Sequence, residues 1–193
     1  MIVHTFTLFW VLSGALLLAD EMRPLIDFTA PAATDRWQAV NDGVMGGVSQ
    51  GRFRITDDGR LEFSGRLSLE NNGGFASVRT KPMRFDLAAG ESIVVRVKGD
   101  GRSYVLNLYT ASRRMAFSYR ADLPTTKDEW TEVRVPLESF IPTSFGNRVA
   151  GMGPVDPAEI RGIGFMLSDK QPGPFRMEVE WVRIEAAAPR ERR

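Results

Sequence analysis

The amino-acid sequence predicts an all-β domain built as a sandwich of two antiparallel sheets. Short runs of alternating apolar and polar residues recur across residues 25–185, separated by clusters of Gly, Asp, Asn and Pro. No window of convincing length shows the apolar period of an amphipathic helix. The runs number about nine or ten, which a two-sheet jelly roll holds without long exposed edges. A closed barrel is the structural alternative.

The clearest strand is the run RLEFSGRLSLE, in which alternate residues are expected to face the core. The residues predicted to face inward there are Leu61, Phe63, Gly65, Leu67 and Leu69. Three further runs alternate in the same way, with inward residues predicted at Ile93, Val95, Val97, Tyr104, Leu106, Leu108, Phe175, Met177, Val179 and Trp181. Shorter strands are predicted in LIDF, GVSQGRFRI, FASVRTKPMRF, RMAFSYRADL, TEVRVPL and IRGIGFMLS. Hairpin turns are predicted at residues 57–60 and 99–102.

The composition excludes several classes of function. The 193 residues suit one domain, and 25 Lys and Arg balance 24 Asp and Glu, so no nucleic-acid surface is predicted. Cysteine is absent, and the one histidine, His4, lies in a segment that secretion would remove. Thiol chemistry, histidine-based triads and zinc sites are therefore nearly excluded for the mature domain. Because no D-x-D-x-D-G loop is present, we predict no metal site and no cofactor.

Residues 1–21 form a separate hydrophobic segment. Residues 1–19 contain no Asp, Glu, Lys or Arg, and Ser13, Ala15 and Ala19 are small residues suited to signal-peptide cleavage. A cleaved leader predicts a periplasmic or secreted protein. Because the segment approaches the length of a membrane span, an uncleaved anchor is the second interpretation, and translation from Met22 in the cytoplasm is the third. Residues 22–186 are the predicted sandwich, and residues 187–193 a basic disordered tail.

Two glycine-rich segments interrupt the strand pattern, NDGVMGGVSQG at residues 41–51 and NNGGFASVR at residues 71–79. The first is not a phosphate-binding loop, since no Gly-Lys-Ser/Thr ending and no helix pattern follow it. Both are interpreted as turns beside bulged strands, where a missing Cβ allows close crossing. In the second segment, Phe75 is expected to plug the core and Arg79 to act as a polar anchor.

Two sets of side chains are candidates for a functional site. The carboxylates Asp42, Asp100 and Asp169 lie beside glycine or at strand ends, where loops would project them for acid–base chemistry. Turn capping is the simpler interpretation of these three. The second set is aromatic and would either stack on a sugar or belong to the core. It contains Trp37, Tyr109, Tyr119 and Trp130.

Six motifs occur in an order and at a spacing that match one known family. They are WxxVNDGVMGGVSxG at residues 37–51, FSG at 63–65, ENNGGFASVR at 70–79, KGDGRxY at 98–104, WTEVRVPL at 130–137 and IGFMLSDKQPGPF at 163–175. This pattern closely resembles the complex I intermediate-associated protein 30 family, in the form of a stand-alone bacterial-type member. The resemblance implies a galactose-binding-like β-sandwich jelly roll, related in fold to carbohydrate-binding modules. It marks as candidate binding or family-motif residues Trp37, Asn41, Asp42, Gly46, Gly47, Gly73, Gly74, Arg79, Gly99 and Asp100.

The resemblance also implies a function. Mitochondrial members of the family associate with assembly intermediates of NADH:ubiquinone oxidoreductase and have no known catalytic site. The first hypothesis is therefore a non-catalytic protein-interaction domain, an assembly or chaperone-like factor for a respiratory or other membrane complex. Its expected partner is a protein. Contact with a membrane is expected only if residues 1–21 remain uncleaved. A carbohydrate-binding domain is the alternative, and a carboxylate-based hydrolase is the third hypothesis.

Overall fold

The computed structural model describes residues 22–111 and 115–187. The strands there are β1 (Arg23–Ile26), β2 (Trp37–Ala39), β3 (Gln50–Ile55), β4 (Leu61–Leu67), β5 (Ala76–Thr80), β6 (Ser92–Lys98), β7 (Ser103–Thr110), β8 (Phe117–Pro124), β9 (Trp130–Pro136), β10 (Ile141–Ser144), β11 (Asn147–Arg148), β12 (Ile160–Leu167) and β13 (Gly173–Glu185). Short 3-10 helices span Ala33–Arg36, Asp42–Met45, Glu70–Asn72, Leu137–Ser139 and Pro157–Glu159. The predicted leader and residues 188–193 of the predicted tail lie outside the described residues.

The strands form two antiparallel sheets that face each other. The six-stranded sheet has the order β3-β4-β13-β6-β9, and β1 also pairs with β13. The seven-stranded sheet has the order β11-β10-β8-β7-β12-β5-β2. The chain crosses repeatedly between the sheets, for example from β4 to β5 and from β6 to β7. The predicted all-β sandwich of two antiparallel sheets is confirmed.

The inner faces of both sheets share one hydrophobic core. The predicted alternation is confirmed at Ile93, Val95, Val97, Tyr104, Leu106, Leu108, Phe175, Met177 and Val179, all of which are buried. At its centre, the Phe63 and Phe175 rings lie 4.9 Å apart, and Tyr104 approaches both at 6.4 Å. Burying a side chain of this size contributes about 2 kcal/mol, so the shared core is the main source of stability.

The prediction that Leu69 and Trp181 face the core is wrong, for a different reason in each case. Leu69 is exposed because β4 ends at Leu67 and the chain turns away from the sheet. Trp181 is only half-buried because the pairing of β13 with β6 shifts register between Val179 and Trp181. The extra residue of this bulge inverts the alternation, so Val182 and Ile184 face the core instead.

Three short strands were not expected from the sequence, namely β2, β10 and β11, because two to four residues are too few to show a period. The predicted strand FASVRTKPMRF is also too long, since β5 ends at Thr80, two residues before Pro82, which has no amide to donate. Both predicted turns are present, with Gly59 at a φ of 70° and Gly101 at 88°. The turn at residues 57–60 joins the paired strands β3 and β4 and is a hairpin. The hairpin predicted at residues 99–102 is wrong, because β6 and β7 lie in different sheets and this turn joins the two sheets.

Candidate functional site

Asp42 joins the two glycine-rich segments. It is fully buried, and its carboxylate accepts hydrogen bonds from the Ser49 amide at 2.9 Å, the Ser49 hydroxyl at 2.6 Å, the Gly74 amide at 2.7 Å and the Phe75 amide at 3.3 Å. Burial alone would raise the pKa of Asp42, but these hydrogen bonds outweigh it and hold the pKa below its ordinary value. Asp42 therefore acts as a charged link between the β2–β3 and β4–β5 connections.

Glycines leave the space that the Asp42 carboxylate fills. A Cβ on Gly73 would lie 2.5 Å from Asp42 Oδ2, and a Cβ on Gly47 would overlap the carboxyl carbon. Gly46 and Gly74 have φ angles of 91° and 131°, which favour glycine. The missing Cβ atoms thus allow the close crossing predicted from the sequence.

Asn41 extends this link to two strands. Its Nδ2 donates to the Gly51 carbonyl oxygen at 2.9 Å, and its Oδ1 accepts from the Ser77 amide at 3.4 Å. Gly51 belongs to β3 in one sheet and Ser77 to β5 in the other, so Asn41 connects the two sheets. We refer to Asn41, Asp42, Ser49, Gly73 and Gly74 as the Asp42 clasp.

A second polar cluster joins the β6–β7 and β12–β13 turns. Arg102 donates to both oxygens of Asp169, from Nε at 2.8 Å and from Nη2 at 2.6 Å. Asp100 accepts from the Arg102 amide at 3.2 Å, the Tyr104 hydroxyl at 3.1 Å and the Arg176 amide at 3.0 Å. Burial by itself would raise the pKa of Asp169, but its bonds to Arg102 lower it overall. The three carboxylates considered for acid–base chemistry are thus engaged in holding the fold, and Asp42 shares no partner with the other two.

The four aromatic candidates do not form one platform, and the alternative interpretation as core residues holds for two of them. Trp37 and Tyr119 are buried in the core. Trp130 lies in β9 of the six-stranded sheet, with Lys98 Nζ 5.0 Å from its ring centroid. Tyr109 lies in β7 of the seven-stranded sheet. Phe75 is half-buried and does not plug the core, because it turns towards a surface groove.

This groove, about 860 Å³ in volume, crosses the outer face of the seven-stranded sheet. Its floor consists of strand residues whose neighbours in sequence face the core, namely Ser77, Arg79, Tyr109, Ser118, Arg120 and Met166. Its rim carries large apolar side chains that are 42% to 76% exposed, namely Val44, Met45, Leu69, Met115 and Phe145. We refer to these five as the apolar rim. They come from four separate connections, and an exposed apolar patch of this kind is typical of a binding surface.

Two arginines flank one tyrosine on the groove floor. Arg79 Cζ lies 5.1 Å from the centroid of the Tyr109 ring. Arg120 Nε donates to Ser118 Oγ at 3.2 Å, and that hydroxyl donates to Asn107 Oδ1 at 3.0 Å. Burial lowers the pKa of Arg120. Burial raises the pKa of Tyr109, and the charges of the two arginines oppose this rise.

Two glycines of β12 make room for this arrangement. Gly162 pairs with Tyr109, and Gly164 pairs with Arg79 on the opposite side of the strand. A Cβ on Gly164 would lie 2.6 Å from the Val78 carbonyl oxygen and 2.7 Å from Arg79 Cβ. Since β12 carries no side chain at these positions, the Arg79 guanidinium crosses the strand and reaches the tyrosine ring.

Of the motif residues, Gly73, Gly74 and Arg79 line the groove. Gly99 packs against Thr125, where a Cβ would overlap the threonine side chain, and Trp37 lies in the core. Arg120 and the whole apolar rim were not predicted from the sequence. The only signal in the sequence was the alternation of β8, which places Arg120 opposite its inward residues.

The outer face of the six-stranded sheet differs from the groove face because several of its basic side chains form ion pairs with carboxylates. Glu62 lies 2.9 Å from Arg54 and 2.7 Å from Arg176, and Lys98 lies 3.3 Å from Glu178. Within residues 22–111 and 115–187, no three His, Asp or Glu side chains are placed to hold a metal ion. No helix in these two ranges is long and apolar enough to cross a membrane.

The two facing sheets define a galactose-binding-like β-sandwich. A family 11 carbohydrate-binding module from Clostridium thermocellum, solved in complex with a mixed-linked tetrasaccharide, has a TM-score of 0.64 to this chain at 16% identity, covering 86% of this chain and 96% of its own. An agarase gives a TM-score of 0.61 at 14% identity over 86% of this chain and 25% of its own. At these identities the likeness shows the fold alone.

The sequence pattern of the family described as Complex I intermediate-associated protein 30 matches residues 26–179, and the chain belongs to this family. A mitochondrial relative of that name from Drosophila melanogaster is 27% identical over 187 residues, covering 86% of this chain and 63% of its own length. The relative from Mus musculus is 24% identical over 189 residues, covering 87% and 57%. The chain thus spans about three fifths of these relatives. The family predicted from the motifs is confirmed.

Proposed function

We propose that this chain is a non-catalytic protein-interaction domain that takes part in the assembly of respiratory complex I and binds a partner polypeptide in its groove. The apolar rim carries this proposal, because it exposes five large apolar side chains around one opening. Such exposure is unfavourable in water and is relieved when a partner covers it. The names of the mitochondrial relatives, which associate them with complex I intermediates, supply the class of partner.

Phe145 supports a partner-binding rim because it occupies an unfavourable position in the chain. It forms, with Gly146, the two-residue turn between β10 and β11, at φ angles of 49° and 80°. Turns of this kind favour Asn-Gly, and a bulky residue at positive φ is strained. The turn is also tied to the neighbouring loop, since the Phe145 amide donates to the Ala116 oxygen at 3.3 Å and Ser144 Oγ donates to the Met115 oxygen at 2.9 Å.

Carbohydrate binding is the second candidate, and the shared fold with carbohydrate-binding modules favours it. The placement of the aromatic residues argues against it. Arg79 lies over the Tyr109 ring in the groove, Trp37 is buried in the core, and Trp130 belongs to the other sheet. No open aromatic platform for stacking on a sugar ring remains among these three candidates.

A photo-crosslinking amino acid at position 115 tests the proposal in the native host. The matched control is the same substitution at Arg52, which is exposed on β3 of the other sheet. We expect position 115 to crosslink to subunits or assembly intermediates of complex I, identified by mass spectrometry, and position 52 not to do so. Equal capture at both positions, or capture without any complex I component, contradicts the proposal. Glycan-array binding that Tyr109→Ala abolishes would favour the carbohydrate alternative.

A further inference from the structure

We infer that the groove floor is a receptor for a carboxylate, in which Arg79 and Arg120 bind an Asp or Glu side chain on an extended segment of the partner polypeptide. Apolar residues on either side of that acidic residue would contact the apolar rim. The inference rests on the proposed function and names the chemistry of the segment that the groove accepts.

The charges along the groove carry this inference. Among the described residues, the groove is lined by Arg79, Arg120 and Lys170, and by no Asp or Glu. Neither arginine forms an ion pair with a carboxylate in the described part of the chain. Because the whole sequence has a formal net charge of only +1, this is a local excess of positive charge. It complements a negatively charged ligand.

Arg120 is held ready for such a ligand. Its Nε is engaged by Ser118, which is fixed in turn by Asn107. Its two terminal nitrogens have no hydrogen-bond acceptor among the described side chains and backbone atoms, and a Cβ on Gly146 would lie 3.6 Å from Nη1, at the wall of the groove. A guanidinium held through Nε presents its remaining N–H groups in the fork that suits a carboxylate. Partial burial makes an unpaired charge costly, so a bound anion stabilises it.

The apolar rim favours a polypeptide as the source of the carboxylate over an acidic sugar. Two of its five residues are Met45 and Met115, whose flexible thioether side chains adapt to varied apolar surfaces. A uronic acid would bring hydroxyl groups against these side chains and leave them uncovered. An acidic residue between apolar residues satisfies both the floor and the rim.

A random 12-residue peptide library displayed on phage, selected on the full chain, tests this inference. We expect the enriched peptides to carry Asp or Glu beside aliphatic or aromatic residues. Replacing that acidic residue by Asn or Gln in a synthesised peptide should weaken binding about 10- to 100-fold, as measured by fluorescence anisotropy. Arg120→Gln and Arg79→Gln should weaken the original peptide similarly, while Arg52→Gln should leave it unchanged. Arg120→Lys keeps the charge and should give an intermediate loss.

A double-mutant cycle separates direct contact from a structural effect. If Arg120 binds the carboxylate, the neutral peptide should bind the wild type and the Arg120→Gln variant equally well. Fully additive losses would overturn the inference, as would enriched peptides that lack acidic residues. If either of these results is obtained while position 115 still crosslinks to complex I components, the carboxylate inference is wrong and the proposed function is retained. If peptides fail while oligogalacturonate binds in an arginine-dependent way, the carboxylate comes from a sugar and the inference is wrong.

Discussion

Asp42 shows how one buried side chain organises two motifs that are distant in the sequence. Its carboxylate satisfies the backbone amides of Ser49, Gly74 and Phe75, which would otherwise lack acceptors in the turn. Glycine is required at position 73 because the Cβ of any other residue would lie 2.5 Å from the Asp42 carboxylate. The motifs around residues 42 and 73 are therefore explained by the fold, without any ligand.

We predict that Asp42→Asn destabilises the domain by about 3 kcal/mol at neutral pH. The asparagine keeps the shape but loses the charge, and its NH₂ group faces backbone donors. Urea unfolding followed by tryptophan fluorescence measures the loss. The control is Asp86→Asn, since the Asp86 side chain is fully exposed and its substitution should change stability little. A loss below about 1 kcal/mol would show that the clasp is not structural.

Asp42 and Asp169 also predict how stability depends on pH. Both have a pKa below the unfolded value of about 3.9. Their charged forms therefore stabilise the folded state above that value, and this stabilisation is lost as pH falls through the folded pKa. The free energy of unfolding should fall below about pH 5 in the wild type. The difference in the free energy of unfolding between the wild type and Asp42→Asn should narrow over the same pH range. A constant difference would contradict a lowered pKa for Asp42 in the folded state.

At the scale of the strand, the two glycines of β12 have different roles that can be separated. We predict that Gly164→Ala destabilises the domain by about 2 kcal/mol, because its Cβ meets the Val78 carbonyl oxygen and the Arg79 backbone. Gly162→Ala is the matched control in the same strand, where the nearest atoms lie at 3.4 Å. Thermal and urea unfolding of both variants measure the difference. Equal losses would mean that the close contact of residue 164 with β5 does not decide the cost.

The turn between β10 and β11 predicts opposite effects on stability and binding. Phe145→Asn places the preferred Asn-Gly pair in this turn and should stabilise the domain by about 1 kcal/mol. The same change removes an aromatic ring from the apolar rim and should reduce crosslinking from position 115. Phe145→Leu keeps both the apolar surface and the strain, and should preserve stability and crosslinking. Loss of stability in Phe145→Asn would show that the ring packs against its own domain.

The sequence predicted the strands that span the sandwich because their alternation follows from burial of one face. It misplaced Trp181, since a bulge in β13 depends on pairing with β6 and leaves no mark on local composition. It predicted the importance of Asp42 and Arg79 through motifs, and turn capping as the simpler role of Asp42. It did not predict that Asp42 links two separate connections or that Arg79 lies over the Tyr109 ring. The apolar rim could not be predicted from the sequence, because Met45, Met115 and Phe145 come together only when separate connections converge at one sheet.

For the whole molecule, the two outer faces have separate characters. The six-stranded sheet presents paired charges, as at Glu62 and Arg176, and suits contact with water. The seven-stranded sheet presents Arg79 and Arg120 without carboxylate partners in the described residues, beneath an apolar rim. Because the shared core holds both sheets together, the apolar surface exposed in the groove is not needed to stabilise the sandwich.

A shared core predicts that the two sheets unfold together. Leu106 in the seven-stranded sheet and Met177 in the six-stranded sheet are both fully buried in that core. We predict that Leu106→Ala and Met177→Ala each lower the free energy of unfolding by about 3 kcal/mol, because each leaves a cavity. Far-UV circular dichroism and tryptophan fluorescence should report the same midpoint in urea for either variant. Val44→Ala, on the exposed rim, is the control and should leave the midpoint unchanged. Separate midpoints for the two probes would mean that one sheet stays folded without the other. The free energy of unfolding of the seven-stranded sheet, which carries the groove, would then have to be measured separately.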